Sequence, residues 1–113
     1  MVANAEGKPI SVAVRTLDDC LADWKVDRVD LLKVDVEGHE PKVFAGAAKA
    51  LAEGRIRAIL CEFNDYWLRQ AGSSPQALWQ TLAAKGFVDA AYPGSTPIFL
   101  AECIDTRLLL LCG

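Results

Sequence analysis

Leu31-Leu32-Lys33-Val34-Asp35-Val36-Glu37-Gly38-His39-Glu40 reads as a strand that ends in acids, followed by a glycine turn and the start of a helix. Asp35 and Glu37 are two residues apart, so an extended backbone would send both side chains, and Lys33, from one face. The apolar residues of 29–36 are not confined to alternate positions, which predicts a strand covered by helices on both sides. In an open α/β sheet, ligands bind beyond the carboxyl ends of the strands, where this acid pair would sit.

Downstream, Pro41 fits only the first turn of a helix, so a helix is expected to begin near His39 or Glu40. Val43, Phe44, Ala47, Ala48 and Leu51 recur at helical spacing as its core stripe, and Gly54 is its stop signal. Residues 56–63 form a second apolar run that also ends in an acid, Glu62. Strand, helix and strand with short joints make a βαβ unit with a right-handed crossover.

Upstream, residues 10–14 read as a strand, and Thr16 with Asp19 three residues later resembles a capping box opening a helix to about Trp24. After Phe63, Asn64 caps a short helix running toward Gly72. Ser74 before Pro75 opens a clearer one, with Leu78, Trp79, Leu82 and Ala83 on one face and Gly86 at its end. Strands are expected at 87–92, 98–101 and 107–112, with a turn at Pro93-Gly94-Ser95. Trp79 belongs to a core stripe, whereas Tyr66 and Trp67 lie near the presumed crevice.

The chain has 113 residues, the size of one small domain, with 52% apolar and 24% charged residues, a globular composition. A net charge of −3 without a basic patch argues against nucleic acid as a partner. The longest purely aliphatic run, 108–111, is far too short to span a bilayer, and residues 1–8 lack the apolar core of a signal peptide. A cytoplasmic location is the default expectation. Cys20, Cys61, Cys103 and Cys112 form no C-x-x-C and the one histidine is His39, so free structural thiols are expected rather than a zinc site.

Several chemistries drop out. No G-x-G and no phosphate loop of the form G-x-x-x-x-G-K-[ST] occur, so the chain carries no nucleotide fingerprint of its own. His39-Glu40 starts like a zinc-protease helix, but position 43 is valine. A His39–Cys61 dyad is disfavoured because Cys61 lies inside an apolar strand. A receiver-like signalling domain would need an acid pair on an earlier strand and a lysine after a later one, and neither is present. What remains is the acid group Asp35, Glu37, Glu40 and Glu62. Singly, each acid would only solvate a strand end or favour a helix N-terminus. Two adjacent strands both ending in acids build a polar site able to accept from a hydroxyl or act as a general base.

Thr16-Leu17-Asp18-Asp19, the run from Val29 to Glu40, Val43, Ala45-Gly46-Ala47 and Ile59-Leu60-Cys61-Glu62 together resemble the C-terminal half of FkbM-type methyltransferases, with K-x-D-x-E-G-x-E as core motif. The resemblance runs from about Val14 to Phe87. It implies a class I, Rossmann-like α/β sheet, mainly parallel with a C-terminal antiparallel hairpin and helices on both faces. It further implies S-adenosylmethionine as cofactor and methylation of a hydroxyl on a sugar or small natural product. Asp35 and Glu62 would then contact the cofactor, while Asp35, Glu37 and His39 would serve catalysis. The family's glycine-rich loop lies upstream of the matching region, so residues 1–113 are expected to be one domain that lacks the N-terminal cofactor-binding strands and is inactive alone. A half-sheet also exposes an edge that invites a homodimer, and a non-catalytic oligomerisation module is the competing expectation.

Overall fold

The computed structural model describes residues 2–3, 10–11, 13–99 and 104–111. Two short strands, β1 (Val2–Ala3) and β2 (Ile10–Ser11), pair antiparallel as a separate ribbon. Of the expected strand over 10–14, Ile10 and Ser11 are in a strand, Ala13 and Val14 are irregular and exposed, and residue 12 lies outside the described residues. Helix α1 (Leu17–Asp23) opens as its sequence dictates, with the Thr16 hydroxyl accepting from the Asp19 N–H at 3.1 Å.

The main sheet contains β3 (Leu32–Val34), β4 (Ala58–Asn64), β5 (Phe87–Asp89) and β6 (Ile104–Leu111), in the order β3-β4-β6-β5. β3 and β4 are parallel, with Leu32 beside Ile59 and Val34 beside Cys61. Both β4–β6 and β5–β6 are antiparallel. The C-terminal antiparallel pair is therefore present, but a mainly parallel sheet is not. Among the described residues β3–β4 is the one parallel strand pair, preceded by an isolated parallel bridge between Val29 and Ile56, because β6 returns between β4 and β5 and reverses the direction there.

Between β3 and β4 the expected single helix is two, α2 (Glu40–Ala45) and α3 (Ala48–Ala52). The break is a tertiary effect. The Asp18 carboxylate of α1 accepts from the N–H groups of Lys49 and Ala50 at 2.8 and 3.0 Å, capping α3 where Ala47 has no side chain to do so. The Asp18 N–H donates to the Gly46 carbonyl, and a Cβ at Gly46 would sit 3.2 Å from Thr16. Because the helix is interrupted, Ala48 faces solvent, and Ala50 joins Phe44, Ala47 and Leu51 in the core.

After β4, the Asn64 side chain accepts from the Trp67 N–H to cap α4 (Asp65–Gln70), and Ser74 caps α5 (Pro75–Ala83) through the Ala77 N–H. Leu78, Trp79 and Leu82 of α5 are buried against the sheet. β5 stops at Asp89, short of Tyr92, because the Asp89 carboxylate accepts from the Ala91 N–H and turns the chain. Ile98 and Phe99 are not in a strand, and the rest of the expected strand at 98–101 lies outside the described residues, as do Cys103 and Cys112.

Burial on the sheet is one-sided. Ile59, Cys61 and Phe63 of β4 are fully buried with Val34, Leu109 and Phe87. Their alternates Ala58, Leu60 and Glu62 are half-buried, Leu31 is exposed, and Leu108 and Leu110 remain 40% and 41% exposed. Helical cover on both faces is thus not found among the described residues. All the core-forming positions of the sheet lie on one face, so the second apolar face, legible in the sequence as unbroken apolar runs, is left half-open.

On the buried face of the sheet, Arg107 of β6 lies opposite Cys61 and holds the chain after β5. Its guanidinium donates to the Asp89 carboxylate at 3.0 Å and to the Ile98 carbonyl at 2.8 Å, and pairs with Asp105. The Phe99 and Tyr92 rings lie 4.7 and 5.2 Å from it.

Candidate functional site

The carboxyl ends of β3 and β4 carry Asp35 and Glu62. In the parallel register Val34 lies beside Cys61, so the next residue of each strand, Asp35 and Glu62, comes side by side on the half-open face. Their side chains approach as hydrogen-bond partners, so the two carboxyls oppose each other's ionisation. The Glu62 carboxyl is held above the ordinary glutamate range. Partial burial raises its pKa first, the bond from Asp35 adds to this, a bond from the Asn64 amide at 3.4 Å opposes it, and the charges of Asp35 and Glu40 raise it further.

The sign of the consequence follows from linkage. An acid whose pKa is higher in the folded than in the unfolded chain costs stability at neutral pH, and the cost disappears as pH falls through the folded value. Carboxyl NMR titration is expected to place the Glu62 midpoint above the ordinary glutamate value of about 4.3. Glu62→Gln should keep the fold at least as stable at neutral pH and abolish this part of the acid dependence. A Glu62 midpoint at or below the ordinary value would show that burial and the charge of Asp35 do not act on it.

The other acids of the motif part company. The extended backbone ends at Val34; Glu37 has φ +49° and Gly38 φ +97°, so the chain turns sharply and Glu37 does not share the face of Asp35 as an extended strand would require. Glu37 and His39 are exposed on this turn, and the His39 side chain makes no capping bond. Glu40 is 1% exposed, and its two carboxylate oxygens accept from the N–H groups of Val36 and Gly38, each at 2.9 Å. It clamps the turn from within the first turn of α2. The sequence signal for this was the glutamate two residues after a glycine and directly before Pro41, the geometry of a reciprocal cap.

Gly38 also seats the turn on α4. A Cβ there would lie 2.3 Å from the Trp67 carbonyl oxygen, so the turn after β3 and the helix after β4 approach as closely as backbones allow. Trp67 and Tyr66 stand edge to face at 4.9 Å, both partly exposed beside the strand ends. Cys61 is fully buried with its thiol pKa pushed up, by burial first and then by the charges of Glu40, Glu62 and Asp35. It is no nucleophile, and with Cys20 it is free. Along the outer edge of β3 runs a groove of about 430 Å³, lined by Leu17, Leu32, Lys33, Val34, Asp35, Val36 and Val43. Among the described residues no group of His, Cys, Asp and Glu is arranged to hold a metal ion.

A strand-end aspartate beside a glutamate-clamped glycine turn is the structural form of the K-x-D-x-E-G-x-E motif, and Glu62 of β4 joins it from outside the motif. The profile of the methyltransferase FkbM domain matches residues 3–88. The chain belongs to the FkbM methyltransferase family. A relative described as 2-O-methyltransferase NoeI, from Sinorhizobium fredii (strain NBRC 101917 / NGR234), is 39% identical over 57 residues, half of this chain and 23% of the relative. The matched part of this FkbM-family chain thus spans about a quarter of that curated relative's length. No solved structure matches the chain. No helix among the described residues is long and apolar enough to cross a membrane.

Proposed function

We propose that this chain is the C-terminal portion of a Rossmann-like, S-adenosylmethionine-dependent O-methyltransferase, acting on a hydroxyl of a sugar or small natural product in the cytoplasm. The observation that carries the reading is the Asp35–Glu62 pair at the carboxyl ends of β3 and β4. The cofactor would supply an electrophilic methyl group on a positively charged sulfonium. An acid pair suits that charge and accepts hydrogen bonds from ribose hydroxyls or an ammonium. Asp35 also accepts the proton of the acceptor hydroxyl as its oxygen takes the methyl group. Glu37 and His39 are assigned to the acceptor side on the strength of the family motif. The name of the 2-O-methyltransferase relative supports a hydroxyl acceptor.

The fit to the cofactor is partial. The acids answer its sulfonium and hydroxyls, but the 113 residues contain no G-x-G loop to receive its adenosine and carboxylate ends. The half-open apolar face and the match to a quarter of a relative support the same conclusion: the chain is incomplete and inactive alone. Calorimetry with S-adenosylhomocysteine is expected to show no binding to the 113 residues; tight binding would overturn the incompleteness. Genomic sequence in frame upstream should encode a G-x-G segment, and in that longer protein Asp35→Asn should slow transfer of a labelled methyl group about 10²–10⁴-fold. A genome without such a segment would favour the second reading, a non-catalytic module that associates through the open edge of β3.

A further inference from the structure

The Asn64 side chain, 7% exposed at the end of β4, is tied to two places at once. Its Oδ1 accepts from the Trp67 N–H at 3.1 Å and caps α4, and its Nδ2 donates to Glu62 Oε1 at 3.4 Å. Asn64 is extended and two residues beyond Glu62, so the pleat puts both side chains on one face. The cap decides which way the amide points. A flipped amide would set Nδ2 against the Trp67 N–H, donor on donor, so the helix terminus holds Oδ1 and leaves Nδ2 for the carboxyl. We infer that Asn64 is the positioning residue of the candidate site: it fixes the Glu62 carboxyl beside Asp35 and ties it to the first turn of α4. This role deepens the methyl-transfer reading and rests on it for what the acid pair does.

The tie reaches the motif turn. Trp67 receives the cap through its N–H and sets its carbonyl against Gly38, whose own N–H is held by Glu40. The β3–β4 ladder ends at Val34 and Cys61, so this path through α4 braces the two acids just beyond it. Asn64 also acts on the charge of Glu62. An N–H donor favours the ionised carboxylate, against burial and the neighbouring acids, which favour the neutral form. The charged groups around Glu62 are Asp35 of β3, with Lys33 one pair back beside Leu60, Glu40 of α2, and Asp65 of α4, bonded to Arg69. On β6 the facing residue is uncharged Thr106, and Asp105 and Arg107 take the opposite face. At 3.4 Å the Asn64 bond is long, and such bonds shorten once the acceptor is ionised. Asn64 thus keeps Glu62 able to accept from a hydroxyl or ammonium.

NMR titration of the 113-residue chain tests this without cofactor or substrate, so a failure removes the role of Asn64 and leaves methyl transfer to its own tests. In the parent chain the Asn64 side-chain amide signals are expected to move with pH at the Glu62 carboxyl midpoint. Amide signals that ignore that midpoint overturn the proposal, and this measurement needs no variant to fold. Asn64→Ser keeps a capping oxygen for α4 but is too short to place a donor at the carboxyl. The Glu62 midpoint should therefore rise while the Trp67 N–H stays protected from exchange. A midpoint that does not rise overturns the proposal and leaves Asn64 a helix cap. Asn64→Asp also keeps the cap and replaces the donor by a third carboxylate, so the rise should be larger than in Asn64→Ser. A Glu62 midpoint no higher than the parent's in that variant overturns the proposal in the same way.

Discussion

Replacing Gly38 by alanine is expected to lower the unfolding free energy by about 3 kcal/mol or more, as two costs add. At φ +97° an L side chain is strained by about 1–2 kcal/mol. The new Cβ would also fall 2.3 Å from the Trp67 carbonyl, a backbone atom that no rotamer change can move aside. Relief requires α4 to separate from the turn, which would pull the Glu40 clamp away from Val36 and Gly38 and displace Glu37 and His39. Gly72 is the control. Its φ is +85° but nothing lies within 4 Å of a Cβ built there, so Gly72→Ala should cost only the backbone strain, about 1–2 kcal/mol. Urea denaturation of both variants measures the difference; equal midpoints would show that the close approach of the turn to α4 contributes nothing.

Arg107→Met should be as damaging, by about 3–5 kcal/mol, because it leaves the Asp89 carboxylate, 1% exposed, as an uncompensated buried charge. It also releases the Ile98 carbonyl and the packing against Phe99 and Tyr92, so the chain after β5 loses its anchor. Removing the charge that was stranded should recover part of the loss. Asp89→Asn keeps an acceptor for the Ala91 N–H, and the double variant is expected to be more stable than Arg107→Met alone. Thermal unfolding of the two single variants, the double variant and the parent chain gives the coupling directly. Additive effects would show that Arg107 and Asp89 are not an energetic pair.

Much of the local structure was legible because its causes are local. Thr16, Asn64 and Ser74 cap the helices that follow them, and Gly54, Gly72 and Gly86 take up positive φ at or just beyond helix ends. The apolar runs became β3, β4 and β6, and the acids Asp35 and Glu62 at two strand ends did come together. The interrupted helix was not legible. Between Glu40 and Ala52 only Gly46 hints at the break, and its cause is Asp18, about thirty residues upstream, whose carboxylate accepts from the N–H groups at the start of α3. The same blindness hid the role of Arg107, whose partners come from β5, β6 and the loop between them.

The sequence by itself determined the family, the order of strand, helix and strand, and which residues end the parallel strands, since these depend on periodicity, caps and motif spacing along the chain. Only the tertiary structure decided which acids share a site. The parallel register joined Asp35 to Glu62, and the left-handed backbone at Glu37 and Gly38 turned the chain off the strand before Glu37 could join them. Only it decided, too, that one face of the sheet is left half-open among the described residues, because burial depends on which elements the chain brings to each side. The apolar pattern states that a surface is suited to being covered, and the packing decides what covers it.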